Sequence, residues 1–189
     1  MVLYYFTDVS KSSWFYDSVA YVYAQGLMNG TGATTFAPAT PTTRGMLVTI
    51  LYRMEGSPAS AAWSPFADVT ADAYYAAPVA WAAWNGIVNG VSETSFDPDA
   101  AITREQMAAI LYRYAQSKGI DVSVGEDTNI LSYADALQAS EYAIPALQWA
   151  VGAGVLNGKS GNRLAPTGTA TRAEIAAIMQ RWCEKIVQK

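Results

Sequence analysis

The stretch Gly86-Ile87-Val88-Asn89-Gly90, continued by Phe96, Pro98 and Thr103-Arg104-Glu105-Gln106, decides the fold because it occurs three times in 189 residues. Shifted back by 60, it falls on Gly26, Asn29, Gly30, Phe36, Pro38, Thr43 and Arg44 without a gap. Shifted forward by 68, it falls on Gly154, Gly158, Pro166, Thr171 and Arg172. Asp68 reaches Asp135 at 67, so the third unit carries one extra residue early. A fixed period of this kind marks a repeat architecture.

Outward from the glycines, each unit shows two apolar stripes. Before the first glycine, Tyr16, Val19, Ala20 and Tyr23 recur at spacings of three, four and seven, answered by Ala76, Val79, Ala80 and Ala83, and by Ile144, Leu147 and Val151. After the Arg comes a second stripe: Leu47, Ile50, Leu51 and Met54, then Met107, Ile110, Leu111 and Tyr114, then Ile175, Ile178, Met179 and Trp182. Each unit is therefore a helix, a loop of about a dozen residues and a helix, a long connection of the kind that often carries function. The fold class is all-α, with about six main helices. Two amphipathic helices cannot bury their faces alone, so the units must pack on one another. The units run 1–56, 57–116 and 117–189. Their joints are Gly56 to Pro65, rich in Ser, Pro and Ala, and the polar Ser117 to Asn129.

Composition narrows the chemistry. Apolar residues make up 51% and charged residues only 15%, against about 25% charged in ordinary soluble domains, so disorder is excluded as the main state. The net charge of -4 argues against nucleic acid and anionic lipid as partners. With no His and the single Cys183, structural zinc, His-based triads and disulfides lack their raw material, and neither metal nor cofactor is expected. Cys183 reads as a small packing residue. Ala143 to Leu156, the longest nearly uncharged stretch, falls short of the roughly 20 apolar residues that span a bilayer, so membrane insertion is not expected. Met1 to Asp8 shows no signal-peptide pattern; a secreted form would be a mature fragment.

The motif residues have structural and functional readings side by side. Thr43, Thr103 and Thr171 cap the second helices, and Gln106 and Glu174 complete capping boxes that Met46 cannot. Arg44, Arg104 and Arg172 lack such an explanation, because a cation in the first turn opposes the helix dipole. Either each pairs with a nearby Asp, or the helix amides and the guanidinium together hold an anion such as a carboxylate or phosphate. On the dipole argument alone, removing the Arg should barely lower helix stability. Gly26, Gly86 and Gly154 read as left-handed helix ends. Gly30, Gly90 and Gly158 complete turns, or let a ligand approach bare backbone. Trp14, Tyr74 and Tyr142 share one repeat position, as core residues or as rings that stack on a sugar. Asp8, Asp68 and Asp135 read as caps or turn formers that could also orient the Arg or accept from ligand hydroxyls. Arg53, Arg113 and Arg181, near helix C-termini, read as structural.

The unit formed by Phe6-Thr7-Asp8-Val9, Trp14, Gly26 to Gly30, Phe36, Pro38 and Thr43-Arg44 resembles an S-layer homology repeat, and so do its two successors. The resemblance covers nearly the whole chain and departs from the pattern at Gly45, Met46 and Leu164. It implies a pseudo-threefold, three-pronged helical bundle. Grooves between the prongs would bind secondary cell wall polysaccharide bearing ketal-linked pyruvate, anchoring an exported protein at the bacterial surface without a covalent bond. It further implies that Arg44, Arg104 and Arg172 hold the pyruvate carboxylate, with the aromatic, Asp and second-glycine positions as further ligand-binding candidates, and that the chain is attached to another exported domain. Two other classes compete. A helical-repeat scaffold for protein partners would show a continuous apolar or charged strip independent of the three arginines. A glycan-cleaving enzyme needs two facing carboxylates with separated pKa values, and no unit has an evident pair, so no catalytic residue is assigned.

Overall fold

The computed structural model describes residues 6–59 and 63–187; residues 1–5 of the amino-terminal stretch and 60–62 of the first joint lie outside the described residues. Six α-helices carry the chain: α1 Tyr16–Ala24, α2 Arg44–Met54, α3 Ala76–Trp84, α4 Arg104–Ser117, α5 Ile144–Gly152 and α6 Arg172–Trp182. Among the described residues there is no strand, only isolated bridges. The six expected helices and the all-α class therefore hold. In the third unit, short 3-10 turns at Ala136–Gln138 and Glu141–Ala143 lead into α5.

Helix ends follow the local chemistry. Gly26, Gly86 and Gly154 end α1, α3 and α5 at φ of 68°, 67° and 69°, where an L side chain would be strained. Thr43, Thr103 and Thr171 begin α2, α4 and α6, each Oγ1 accepting the amide of the third residue on. The box closes in α4 and α6, where Gln106 and Glu174 accept the Thr103 and Thr171 amides at 3.2 and 2.9 Å. Met46 leaves α2 with half a box, as its side chain requires.

The helices do not pair within units. Instead α2 packs on α3, α4 on α5, and α6 on α1, so each prong joins the second helix of one unit to the first helix of the next. The third unit thereby closes on the first. On the central axis a ring of three backbone hydrogen bonds ties the units: Thr42 N donates to Ala170 O at 2.8 Å, Ala170 N to Ile102 O at 3.2 Å, and Ile102 N to Thr42 O at 2.9 Å. This ring gives the bundle its pseudo-threefold form. The second helices line the axis with fully buried Leu47, Leu51, Met107, Leu111, Ile175 and Met179, each worth about 1.5–3 kcal/mol of burial. At their far ends Tyr114 stacks on Trp182 at 5.3 Å, and Cys183 packs its sulfur 3.8 Å from that of Met54.

This closure generates a direct expectation. Residues 1–56 contain α1 and α2, whose main partners are α6 and α3, so this fragment should show no cooperative thermal transition. The whole chain should unfold in one step, with circular dichroism and tryptophan fluorescence superimposed. A sharp melt and dispersed amide spectra from the isolated unit would contradict the shared core.

Candidate functional site

The motif arginines sit where each second helix meets the neighbouring unit, and all three are buried, at 5, 3 and 6% exposure for Arg44, Arg104 and Arg172. Each Nε donates at 2.8 Å to a backbone carbonyl of another unit: Arg44 to Phe96, Arg104 to Leu164 and Arg172 to Phe36. Each Nη2 donates to a second carbonyl there, of Asn89, Asn157 and Asn29, at 3.2, 2.7 and 2.7 Å. The Arg44 and Arg172 guanidinium groups also lie over the Phe96 and Phe36 rings, at 4.5 and 4.6 Å. No carboxylate pairs with these three within ion-pair distance; among the described residues the ion pairs are Lys118–Glu55 and Lys159–Glu174. Burial pulls all three arginine pKa values down, opposed by Asp97 for Arg44, Glu174 for Arg104 and Tyr74 for Arg172. A guanidinium keeps its charge at neutral pH all the same.

The helix amides, by contrast, are spent. Arg44, Arg104 and Arg172 donate their own N–H groups to Ala100, Gly168 and Thr40, and the next residues donate to Pro98, Pro166 and Pro38. With the Thr caps taking the third amide, no free N-terminal nest faces outward. Any anion held here is held by guanidinium groups rather than by helix ends. The dipole argument for a stability-neutral Arg also fails, because it omits the two carbonyls each side chain ties down.

The aspartates grip the same loops from the other side. Asp8 accepts the amides of Phe36 and Ala37 at 2.9 and 2.7 Å, Asp68 those of Phe96 and Asp97 at 2.9 and 2.7 Å, and Asp135 those of Leu164 and Ala165 at 2.7 and 2.9 Å. Ala37, Asp97 and Ala165 are left-handed, at φ of 57°, 56° and 51°, a conformation costing a non-glycine residue about 1–2 kcal/mol. The carboxylate holds that turn in place. Partial burial pushes the Asp68 and Asp135 pKa values up, but the loop amides, with the Ser95 hydroxyl on Asp68, outweigh it and hold both below the usual carboxylate range. Turn formation and indirect orientation of the Arg are thus their visible roles.

Three grooves open beside these clasps, and each draws on all three units. The first combines the Asn29-Gly30 loop and α2 with Arg172 and Tyr74, and encloses about 300 Å³. The second combines the Asn89-Gly90 loop and α4 with Arg44 and Tyr142, about 430 Å³. The third combines the Asn157-Gly158 loop and α6 with Arg104 and Trp14, about 210 Å³. Trp14, Tyr74 and Tyr142 are more than half exposed, so the core reading of these aromatics does not hold. Gly30, Gly90 and Gly158 line the grooves by their backbone, while a Cβ on each would strike the protein itself: the rings of Phe6, Phe66 and Tyr133 lie 2.6, 2.7 and 2.6 Å away.

Arg53, Arg113 and Arg181 also line these grooves, one in each, although their helix positions alone suggest only a dipole role. Arg53 and Arg181 reach the Leu27 and Val155 carbonyls at 3.3 and 3.4 Å. Their stripe was present in the sequence, since Met46, Thr49, Ile50 and Arg53 recur at three, four and seven. Each groove so holds two guanidinium groups, and no carboxylate lines the first or the second. Behind the second groove and outside its lining, Glu105 accepts the Ser140 amide and hydroxyl at 3.0 and 2.9 Å, anchoring the segment that carries Tyr142. Gly45, at the matching place in α2, makes room for the Tyr75 ring, which a Cβ would meet at 3.0 Å. No helix among the described residues is long and apolar enough to cross a membrane.

Comparison with known proteins gives one family. The S-layer homology domain matches at residues 5–45, 65–108 and 132–176. The chain is 33% identical over 181 residues, 96% of its length, to an endoglucanase of Bacillus sp. (strain KSM-635), covering 19% of that protein. It is 28% identical over 95% of its length to an amylopullulanase of Thermoanaerobacterium thermosulfurigenes, covering 10% of it. It is 33% identical over 64% of its length to a surface-layer 125 kDa protein of Lysinibacillus sphaericus, again covering 10%. The chain thus spans a fifth or less of these relatives.

Two outcomes follow from the clasp. Arg104→Ala should lower unfolding free energy by about 2–4 kcal/mol, since two charge-assisted bonds at about 1.5–3 kcal/mol each are lost and water recovers part. Arg104→Lys should recover less than half, having no planar two-point grip. An unchanged urea midpoint in either variant would contradict the clasp. Because Asp68 and Asp135 have native pKa values below their unfolded values, their contribution is full above about pH 4 and is lost as pH falls through the native values. Urea midpoints should fall steeply below that pH in the native chain and more gently in the Asp68→Asn, Asp135→Asn variant.

Proposed function

The chain belongs to the S-layer homology domain family, and we propose that its grooves bind pyruvylated secondary cell wall polysaccharide, anchoring an exported protein at the cell surface without a covalent bond. One observation carries the reading: each groove sets a pair of guanidinium groups beside an exposed aromatic ring. A pyruvate ketal offers a carboxylate to the former and a neutral sugar face to the latter. Arg44, Arg104 and Arg172 would meet the carboxylate with the N–H groups that the clasp leaves over, and Trp14, Tyr74 and Tyr142 would stack on the ring. Gly30, Gly90 and Gly158 supply loop backbone, and Asp8, Asp68 and Asp135 hold the loops. Arg53, Arg113 and Arg181 extend the cationic floor.

The chain is an anchoring module rather than the catalytic part of the enzymes it resembles. Those enzymes match over 19% of their length or less, which leaves the greater part of each outside the match. The attached exported domain, the absence of glycan hydrolysis and the unit boundaries at 56/57 and 116/117 are parts of this same proposal. A protein-binding scaffold has less support, because the recurrent feature is a cationic groove and not a continuous strip.

The test is co-sedimentation of the folded chain with purified cell wall before and after mild acid hydrolysis of its pyruvate ketals. Binding should fall at least tenfold on depyruvylation. Retention of full binding by depyruvylated wall would overturn the reading.

A further inference from the structure

Beside the second groove, and sharing Ala109, Arg113 and Tyr142 with it, lies a smaller cavity of about 160 Å³. Its remaining lining is Tyr112 and Gln116 from α4 and Pro145 and Ala146 from α5. On α4, Ala109, Tyr112, Arg113 and Gln116 recur at three, four and seven, so one helical face serves both cavities. Gln116 belongs to that face because α4 runs 14 residues, whereas α2 stops after 11 and α6 passes into a π-turn at Cys183. Two polar side chains here are uncommitted. Arg53 and Arg181 each donate to a loop carbonyl of their own unit, but Arg113 and the Gln116 amide donate to no acceptor among the described residues. Burial pulls the Arg113 pKa down and Tyr142 opposes it, so a guanidinium that stays charged stands at the shared border without a carboxylate beside it. The repeat sets this corner apart: Gln116 answers to Gly56 in the first unit and Glu184 in the third, and Pro145 to Ala77 and Asp17. At the matching positions the first groove has no side chain in place of Gln116, and the third has two carboxylates.

We propose that the second groove binds two consecutive sugar residues of the polymer, the pyruvylated one in the main cavity and an uncharged neighbour in the side cavity, where Gln116 and Arg113 donate to its hydroxyl and acyl oxygens. The proposal rests on the anion-groove reading above. At about 160 Å³ the side cavity is below the roughly 300–1,000 Å³ of pockets for drug-sized ligands, which suits a single ring. A cyclic ketal across O4 and O6 leaves O1 and O3 of the pyruvylated sugar for the chain, so the neighbouring ring lies one glycosidic bond away. Tyr142, more than half exposed, stands at the border that this bond crosses. Once the first ring is seated the second is held at a high effective concentration, and donors that no protein acceptor occupies convert it into affinity. The first and third grooves, lacking this pair of free donors, treat the single sugar and the longer chain alike.

The probes are a methyl hexopyranoside with a pyruvate ketal across O4 and O6, and the two disaccharides that carry a neutral hexose at its O1 or its O3. Each is titrated into the full chain labelled with nitrogen-15. The Gly30, Gly90 and Gly158 amides report on the first, second and third grooves, and the Gln116 side-chain amide reports on the side cavity. At least one disaccharide should bind the second groove at least fivefold more tightly than the single sugar, shifting Gln116 together with Gly90. Any other groove that responds should gain less than fivefold. In Gln116→Ala the gain in the second groove should fall below fivefold. A gain below fivefold with both disaccharides, a Gly90 or Gln116 amide that stays still while another groove responds, an equal gain in another groove, or a gain kept by Gln116→Ala would each overturn the side-cavity assignment and leave pyruvate binding standing. Silence of all three glycines with every probe would overturn the anion-groove reading and this proposal together.

Discussion

Three residues, Phe36, Phe96 and Leu164, are held from both sides, and the rest of the structure depends on that grip. Each gives its N–H to the Asp of its own unit and receives the Arg of another unit on its C=O. The Asp fixes a turn that includes a left-handed non-glycine residue, and the carbonyl of that turn, together with the carbonyl of the loop Asn seven residues earlier, receives the guanidinium. Because the Arg of each unit serves a different unit's loop, the three clasps run in a circle. Closing that circle is what allows α6 to cover α1.

The same arrangement accounts for the grooves. A buried cation usually has a carboxylate beside it, whereas here backbone dipoles satisfy part of each guanidinium and leave its charge uncancelled. That charge points toward a concave surface shared by three units. The chain as a whole is negative, at -4, yet at physiological salt distant charges are damped beyond about 8 Å, so the paired arginines govern what a groove feels at contact. A ligand seated there touches all three units and must stabilise the closed bundle by mass action.

Much of the fold is legible from side-chain pattern alone. The stripes before Gly26, Gly86 and Gly154 and after the three arginines are the helices, the glycines are their left-handed ends, and Met46 deprives α2 of its capping box. The partners of Arg44, Arg104 and Arg172 were not legible, because a backbone carbonyl has no letter in the sequence. For the same reason the first-turn amides looked available when Pro38, Pro98 and Pro166 carbonyls already hold them. Tyr74 and Tyr142 read as core or surface with equal ease until helix pairing across units placed them on another unit's groove. Arg53, Arg113 and Arg181 had a sufficient local explanation at helix C-termini, which masked their place on the groove-facing stripe. Leu164 shows the converse: its carbonyl does the work, so losing the Phe ring costs a cation–π contact and leaves the clasp.

The central claim is that each motif Arg holds the bundle with one edge of its guanidinium and keeps another for a ligand. Side-chain nitrogen-15 spectra of Arg44, Arg104 and Arg172 test this most directly, recorded without ligand and with a pyruvylated hexopyranoside. The account predicts three Nε–H protons that exchange slowly in the free chain and stay protected on titration, while the Nη resonances of the ligand-bearing grooves shift. Nε–H protons that exchange at the rate of a solvated arginine, or that become protected only when ligand is added, would contradict it.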